Sequence, residues 1–267
     1  MILPYEIFES SADSGPVWVL LHGFLGSRRN LRTLAQDLAS LSTVLSLDLP
    51  NHGEAPVLDP CGYADMAQAV ADTVHHALGN RPWIAVGHSM GGKLAMFMAL
   101  QGAENLRALV ILDIAPMVYH GDDDPVFDAL RQLDLTQVHT RADADRMLQP
   151  HIPERAVRLF VLTNLERAPE GSATTFRWRL PLEVLARNRI ALRGWPLSSG
   201  HCLLPALLVW GSESPYMPPG ALDQARRFLP QLVDQPIAGA AHWLHVSHGP
   251  ELLHAIRQWA TSCGKIQ

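Results

Sequence analysis

Short, nearly continuous apolar runs recur along the chain, each ended by Gly, Asp or Pro: Val17–Leu21, Thr43–Leu47, Trp83–Val86, Leu106–Leu112 and Leu204–Trp210. Runs of this length without polar alternation predict strands buried on both faces of a sheet. Between them the apolar positions fall at helical spacing. Leu31, Leu34, Leu38 and Leu41 share one face; so do Tyr63, Met66, Val70 and Val74, with Ala77 beyond, and later Leu252, Leu253, Ile256 and Trp259. Strand and helix in alternation predict an α/β fold built on a mostly parallel, doubly wound sheet. Ligands of such sheets sit beyond the carboxyl ends of the strands, so a site is expected among the residues that end these runs.

The alternation breaks between Pro116 and Trp195, where no strong apolar run occurs and the signals are helix starts. Asp124-Pro125 reads as an N-cap with proline at the first helical position. Thr140, with Asp143 three residues on, resembles a capping box. Glu154 to Leu165 carries an amphipathic pattern, and Phe176, Trp178 and Pro181 precede another short helix. The expectation is an all-helical cap inserted at 116–195 into a core made of residues 1–115 and 196–267. No internal repeat or low-complexity tract interrupts either part.

Composition narrows the class. Hydrophobic residues make up 48 % and charged residues 18 %, which excludes whole-chain disorder and fits a soluble globular protein. The net charge of −5 leaves no cationic excess to displace counterions, so nucleic acid is not an expected partner. Cys61, Cys202 and Cys263 are odd in number and far apart, without CxxC spacing, which points to a reducing, cytoplasmic compartment rather than a disulfide framework or zinc site. The first fifteen residues carry Glu6, Glu9 and Asp13 and lack the basic and apolar regions of a signal peptide. Trp83 to Leu100 holds one charge, Lys93, but its central Gly87, Gly91 and Gly92 divide it into a buried strand and a helix rather than a membrane span.

The chemistry gathers at the strand ends. Gly87-His88-Ser89-Met90-Gly91 follows one strand and opens a helix, the strand–turn–helix context in which G-x-S-x-G presents a nucleophilic serine. The serine must occupy a strained turn, so its neighbours two positions away must lack side chains. The bland alternative is a turn whose serine merely caps a helix. His22-Gly23-Phe24-Leu25-Gly26 ends an earlier strand, and the backbone amides of Phe24 and Met90 are the expected oxyanion donors; otherwise His-Gly forms only a tight turn with Phe24 in the core. His22 reads as a structural hydrogen-bonder. Among 13 histidines, His242 in Gly239-Ala240-Ala241-His242-Trp243 is the candidate base, with His245 and His248 as near competitors. Small residues precede it, and the order Ser…acid…His is that of α/β-hydrolases. Asp48 and His52, in Asp48-Leu49-Pro50-Asn51-His52-Gly53, read as parts of a shaped loop. No cluster of His and carboxylates has metal-ligand spacing.

With these residues in place, the chain resembles the α/β-hydrolase superfamily over essentially its whole length, and more finely the small capped serine esterases of the YbfF type. The features are HGFLGS (His22–Ser27), DLPNHG (Asp48–Gly53), GHSMGGK (Gly87–Lys93), DIAP followed by YH (Asp113–Pro116, Tyr119-His120), SPY (Ser214–Tyr216) and GAAHWLH (Gly239–His245). GHSMGG and HG are superfamily-wide; DIAP with YH and SPY is far more specific. The resemblance implies a cofactorless serine carboxylesterase or thioesterase with a helical cap, acting on a small-molecule acyl ester or thioester. Ser89 would attack the carbonyl, with His242 as base.

Three rivals stand beside it. A cofactorless lyase similar to the menaquinone-pathway α/β-hydrolase lyases would also carry HGF and a serine elbow. A C–C bond hydrolase would want basic cap side chains for a substrate carboxylate, a part Arg177 and Arg179 could fill, although alternation turns one of them to solvent. A ligand-binding relative without activity would need neither Ser89 nor His242. For the esterase, short acyl chains are expected to react fastest, because Phe127, Phe160, Trp178 and Trp195 are available to fill the space above Ser89. The alternative is that these aromatics form the cap's own core.

The acid is where the chain departs from the commonest superfamily pattern. An aspartate is expected in a W-G-x-x-D turn after Leu204–Trp210, and that position is Ser214, which cannot supply a negative charge. Glu213 is one residue early. Asp113 ends the strand Leu106–Leu112 in apolar surroundings where a charge needs a partner. Asp113 is the favoured acid, and YbfF-like enzymes, which share SPY without an acid there, imply the same.

Overall fold

The computed structural model describes residues 1–11, 15–119 and 124–262; Asp13, His120 and Cys263 lie outside the described residues. Nine strands are described: β1 (Tyr5–Phe8), β2 (Val17–Leu21), β3 (Val44–Leu47), β4 (Trp83–His88), β5 (Leu106–Leu112), β6 (Leu165–Arg167), β7 (Phe176–Trp178), β8 (Ala206–Gly211) and β9 (Leu232–Ile237). The α-helices are α1 (Arg32–Leu38), α2 (Tyr63–Leu78), α3 (Met90–Leu100), α4 (Pro125–Gln132), α5 (Arg141–Leu148), α6 (Arg155–Leu162), α7 (Leu182–Arg193), α8 (Ala221–Phe228), α9 (Leu244–Ser247) and α10 (Gly249–Ser262).

Seven strands form one sheet in the order β1-β3-β2-β4-β5-β8-β9, parallel except for β1, which pairs antiparallel with β3. Strands β2, β3 and β4 are buried along their whole length, as continuous apolar runs require. Helices α1 and α10 cover one face; α2, α3 and α8 cover the other. The chain moves outward from β2 to β3, then crosses back to β4 and continues to the other edge. The switch therefore lies between the carboxyl ends of β2 and β4, the crevice where such sheets bind ligands.

Helix α3 is buried from Met90 to Ala99, which explains the low charge of that stretch: it is a core helix of 11 residues. Among the described residues no helix is long and apolar enough to cross a membrane.

The segment between β5 and β8 departs from the all-helical expectation. Besides α4–α7 it holds an antiparallel pair, Leu165↔Trp178, Glu166↔Arg177 and Arg167↔Phe176. Helix α6 stops at Leu162, so Leu165 belongs to this hairpin; three-residue strands are too short to show a period of two in the sequence. The helix starts form as the sequence implies. Asp124 accepts from the Phe127 N–H at 3.1 Å with Pro125 following it, and Thr140 and Asp143 close a capping box. The segment is tied down by side-chain to backbone bonds: Asn164 Nδ2 to the Leu25 carbonyl at 2.8 Å, the Cys61 N–H to Asn188 Oδ1 at 2.8 Å, and Tyr63 Oη–H to the Leu192 carbonyl at 2.7 Å.

Candidate active site

Strand β4 runs straight into Ser89, which sits at φ 51° and ψ −117°, in the left-handed half of backbone space that non-glycine residues avoid. Helix α3 begins at the next residue. Such a turn closes only because its neighbours lack side chains. A Cβ on Gly87 would collide with the Gly91 carbonyl, and one on Gly91 with the carbonyl of Leu21 at the end of β2. The strain holds Ser89 Oγ clear of its own backbone.

His242 arrives on the loop between β9 and α9. Its Nε2 is 3.0 Å from Ser89 Oγ, and its Nδ1 is 2.7 Å from Asp113 Oδ2. Asp113 ends β5, itself at φ 56°, and its carboxylate is fully buried. That burial is tolerable because both oxygens are bonded: Oδ1 accepts from the Gly211 N–H at 2.8 Å, and Oδ2 accepts from the Ser214 hydroxyl as well as from His242. With Nδ1–H directed at the carboxylate, Nε2 presents a lone pair to Ser89. Glu213 is exposed, and its backbone N–H bonds the Ala240 carbonyl at 2.9 Å. Of the two candidate carboxylates, it is Asp113 that meets His242.

The β2 loop passes directly beside the serine. A Cβ on Gly23 would lie 3.3 Å from Ser89 Cβ and 2.8 Å from His88 Nδ1, so the chain at Gly23, just before Phe24, passes against Ser89. Met90 heads α3, where a first-turn N–H has no intrahelical acceptor. His22 is buried and neutral: Nε2 accepts from the Leu49 N–H at 3.0 Å, Nδ1 lies 2.8 Å from the Gly23 carbonyl, and burial lowers its pKa to about 4. It braces the loop. Asp48 and His52 are likewise structural. Asp48 accepts from the Arg28 and Glu54 amides, and His52 Nδ1 lies 2.9 Å from the Pro50 carbonyl.

A serine hydroxyl, an imidazole and a buried carboxylate joined in sequence at the switch point of a parallel sheet are the parts that acyl-transfer chemistry uses. Comparison with known proteins agrees with the architecture. The family model described as alpha/beta hydrolase fold matches residues 16–249. The chain belongs to that family. It is 32 % identical to the sn-1-specific diacylglycerol lipase ABHD11 of Mus musculus, over 95 % of this chain and 83 % of that protein. It is also 32 % identical to esterase YbfF of Escherichia coli (strain K12), over 94 % of this chain and 95 % of that protein. Among solved structures, a marine microorganism esterase superposes with a TM-score of 0.88 at 26 % identity, covering 97 % of this chain and 99 % of the other. As a member of this family, the chain is an enzyme, a hydrolase.

Several residues around the site had no role in the sequence reading. The Tyr216 ring stacks on His242, with centroids 3.8 Å apart and planes 22° apart. Tyr119 Oη accepts from the Ala115 N–H at 2.8 Å and donates to the Tyr216 carbonyl at 2.8 Å. DIAP, Tyr119 and SPY are therefore one assembly around the acid and the imidazole; the motifs were the signal, but contacts spanning about a hundred residues do not show in local pattern. His88, the variable residue of the elbow, places Nε2 2.9 Å from the His242 carbonyl and packs its ring on His242 and His245. Burial and the neighbouring histidines hold His88 well below the usual histidine range, so it is neutral and its Nε2–H donates.

Two clefts meet at Ser89, and Phe24, Ser89, Asp124 and Tyr216 border both. One, of about 820 Å³ with its open mouth included, runs along His242, Trp243, Phe160 and Val126. The other, of about 540 Å³ with its open mouth likewise included, runs along Met90, Lys93, Ile114 and Leu192. Of the four aromatics expected above the serine, Phe160 lines a cleft. Phe127 is fully buried against Phe24, Trp178 Nε1–H bonds the Leu130 carbonyl, and Trp195 packs on Phe228. Arg177 and Arg179 are not turned to a substrate carboxylate: both pair with Glu166, across or beside the β6–β7 hairpin. Among the described residues no group of three His, Cys, Asp or Glu side chains converges as a metal ion would require.

Proposed function

We propose that this protein is a serine carboxylic ester hydrolase working through an acyl-enzyme on Ser89, with His242 as base, Asp113 as the orienting acid, and the Phe24 and Met90 amides as the oxyanion hole. The observation that carries this reading is the unbroken hydrogen-bonded series Ser89 Oγ, His242, Asp113, at 3.0 and 2.7 Å. Ser89 Oγ forms a bond to the ester or thioester carbonyl carbon while its proton passes to His242 Nε2. The carbonyl oxygen takes the electron pair and faces the two amides. The bond to the leaving oxygen or sulfur then breaks, and His242 returns the proton to it. Water repeats the sequence, adding to the acyl carbon and regenerating Ser89, so that one ester and one water yield an acid and an alcohol or thiol.

Segment 116–195 acts as a cap over the core formed by 1–115 and 196–267. Short acyl chains are the preferred substrates, since the clefts at Ser89 are walled by Phe160, Ile114 and Leu192. A cytoplasmic location is supported by Cys61 and Cys202, both buried free thiols. The test is hydrolysis of a p-nitrophenyl ester series from butyrate to palmitate. Rates should fall with chain length and vanish in Ser89→Ala; a steady rise towards palmitate would refute the chain-length claim, and undiminished turnover by Ser89→Ala the mechanism.

A further inference from the structure

The reaction proposed above assigns the two clefts, and this inference rests on that reading. His242 Nε2 must deliver a proton to the leaving atom, so the leaving group lies in the cleft that His242 lines, beside Trp243 and Phe160. The acyl group then points the other way, past the Met90 amide, into the cleft that Lys93 lines and His242 does not.

Lys93 is the unusual wall of that acyl cleft. It sits one helical turn beyond Ser89, its N–H bonded to the Ser89 carbonyl at 3.0 Å, and it is only 2 % exposed. Its Nζ donates to the carbonyls of Arg193 at 2.9 Å and Gly194 at 2.6 Å, at the end of α7. The ammonium also lies 4.9 Å from the ring centre of Tyr119 and 5.8 Å from that of Tyr63. All these partners are neutral, and an ammonium has three N–H groups, of which the carbonyls take two. A neutral amide would satisfy two carbonyls without the cost of burying a charge. That cost is visible: burial, with Arg193 nearby, lowers the lysine pKa to about 7. Arg189 and Arg193 line the same cleft, while the carboxylate among its lining residues, Asp124, sits on the border shared with the other cleft.

We propose that the acyl cleft is built for a short acyl chain ending in a carboxylate, seated on the Lys93 ammonium: a half ester or half thioester of a four- or five-carbon dicarboxylic acid. Ser89 and Lys93 lie one helical turn apart in sequence and line the same cleft, so a short chain can reach from one to the other.

The test compares p-nitrophenyl hemiglutarate with p-nitrophenyl valerate, which match in length and leaving group. Wild-type enzyme should favour the half ester in kcat/KM by about tenfold, the size of one charge-assisted hydrogen bond. Lys93→Gln, which keeps donors for the α7 carbonyls, should erase that ratio chiefly by raising KM for the half ester, and Lys93→Arg should retain part of it. Wild-type preference for valerate, or an unchanged ratio in Lys93→Gln, would overturn the proposal. Should the variants fail to fold, wild-type butyrate hydrolysis decides, since glutarate should compete better than valerate; equal or weaker competition counts against the subsite. Both esters turned over through Ser89 at equal rates would refute the subsite and leave the esterase reading standing. Neither ester turned over, with no acyl-enzyme on Ser89, would refute both.

Discussion

Asp113 stands at a left-handed backbone position, at zero exposure, and holds three hydrogen bonds. The strained backbone and the burial would each be a liability alone; with the three hydrogen bonds they fix a carboxylate on His242 Nδ1. Asp113→Asn should therefore preserve the fold and lower kcat by up to about 10⁴-fold, since an amide permits the wrong imidazole tautomer. Glu213→Gln should leave kcat within error, and Ser214→Ala, which removes one donor to the carboxylate, should lower it by about tenfold. Steady-state kinetics beside circular dichroism checks all three; the opposite ranking of Asp113 and Glu213 would move the acid to the end of β8. Asp113 was legible as a candidate because the expected acid position held Ser214, leaving a strand-end carboxylate in apolar company. That Ser214 would itself donate to Asp113, and that Tyr216 would stack on His242, was not legible. Those partners come together only when β5, β8 and the His242 loop are side by side.

At the scale of elements, the site depends on three glycines that let β2, β4 and α3 approach. Gly91→Ala would drive a methyl into the Leu21 carbonyl, where rigid sheet backbone cannot yield, and should cost about 3 kcal/mol or more of stability, read as a lower urea midpoint. Gly23→Ala meets side chains instead, at 2.8 Å from His88 Nδ1 and 3.3 Å from Ser89 Cβ. It should fold, displace the Phe24 amide and lower kcat by about a hundredfold, with KM less affected. The central strands and α3 were legible as unbroken apolar runs. The edge strands were not: β1 is only half-buried, and β9 carries the consecutive polar and proline positions Asp234, Gln235 and Pro236, of which Gln235 and Pro236 are exposed. The β6–β7 pair was lost for a different reason, three residues being too few to carry a period.

For the whole molecule, buried imidazoles couple stability to pH. His22 and His52 are held neutral by burial, at pKa values of about 4 and about 3, and His88 lies well below the usual range. In the unfolded chain each titrates near 6.5, so between about 4 and 6.5 the unfolded state binds more protons than the folded one. The imidazoles should then make stability fall steadily as pH drops from 6.5 towards 4, while Lys93, lowered from 10.5 to about 7, adds a further gain as pH rises above 7. Urea midpoints at pH 7.5, 6 and 5 report this directly, and a midpoint that rises on acidification would contradict it. The larger architecture was the most legible part, because alternating buried strands and amphipathic helices leave few ways to close a sheet, and the strand ends then collect at one crevice. The central claim is that Ser89 is the nucleophile of that crevice. Intact-mass and peptide mass spectrometry after treatment with a fluorophosphonate tests it most directly: the account predicts one adduct, on Ser89, lost in His242→Ala, whereas an adduct on another residue, or none while esters are still cleaved, would contradict it.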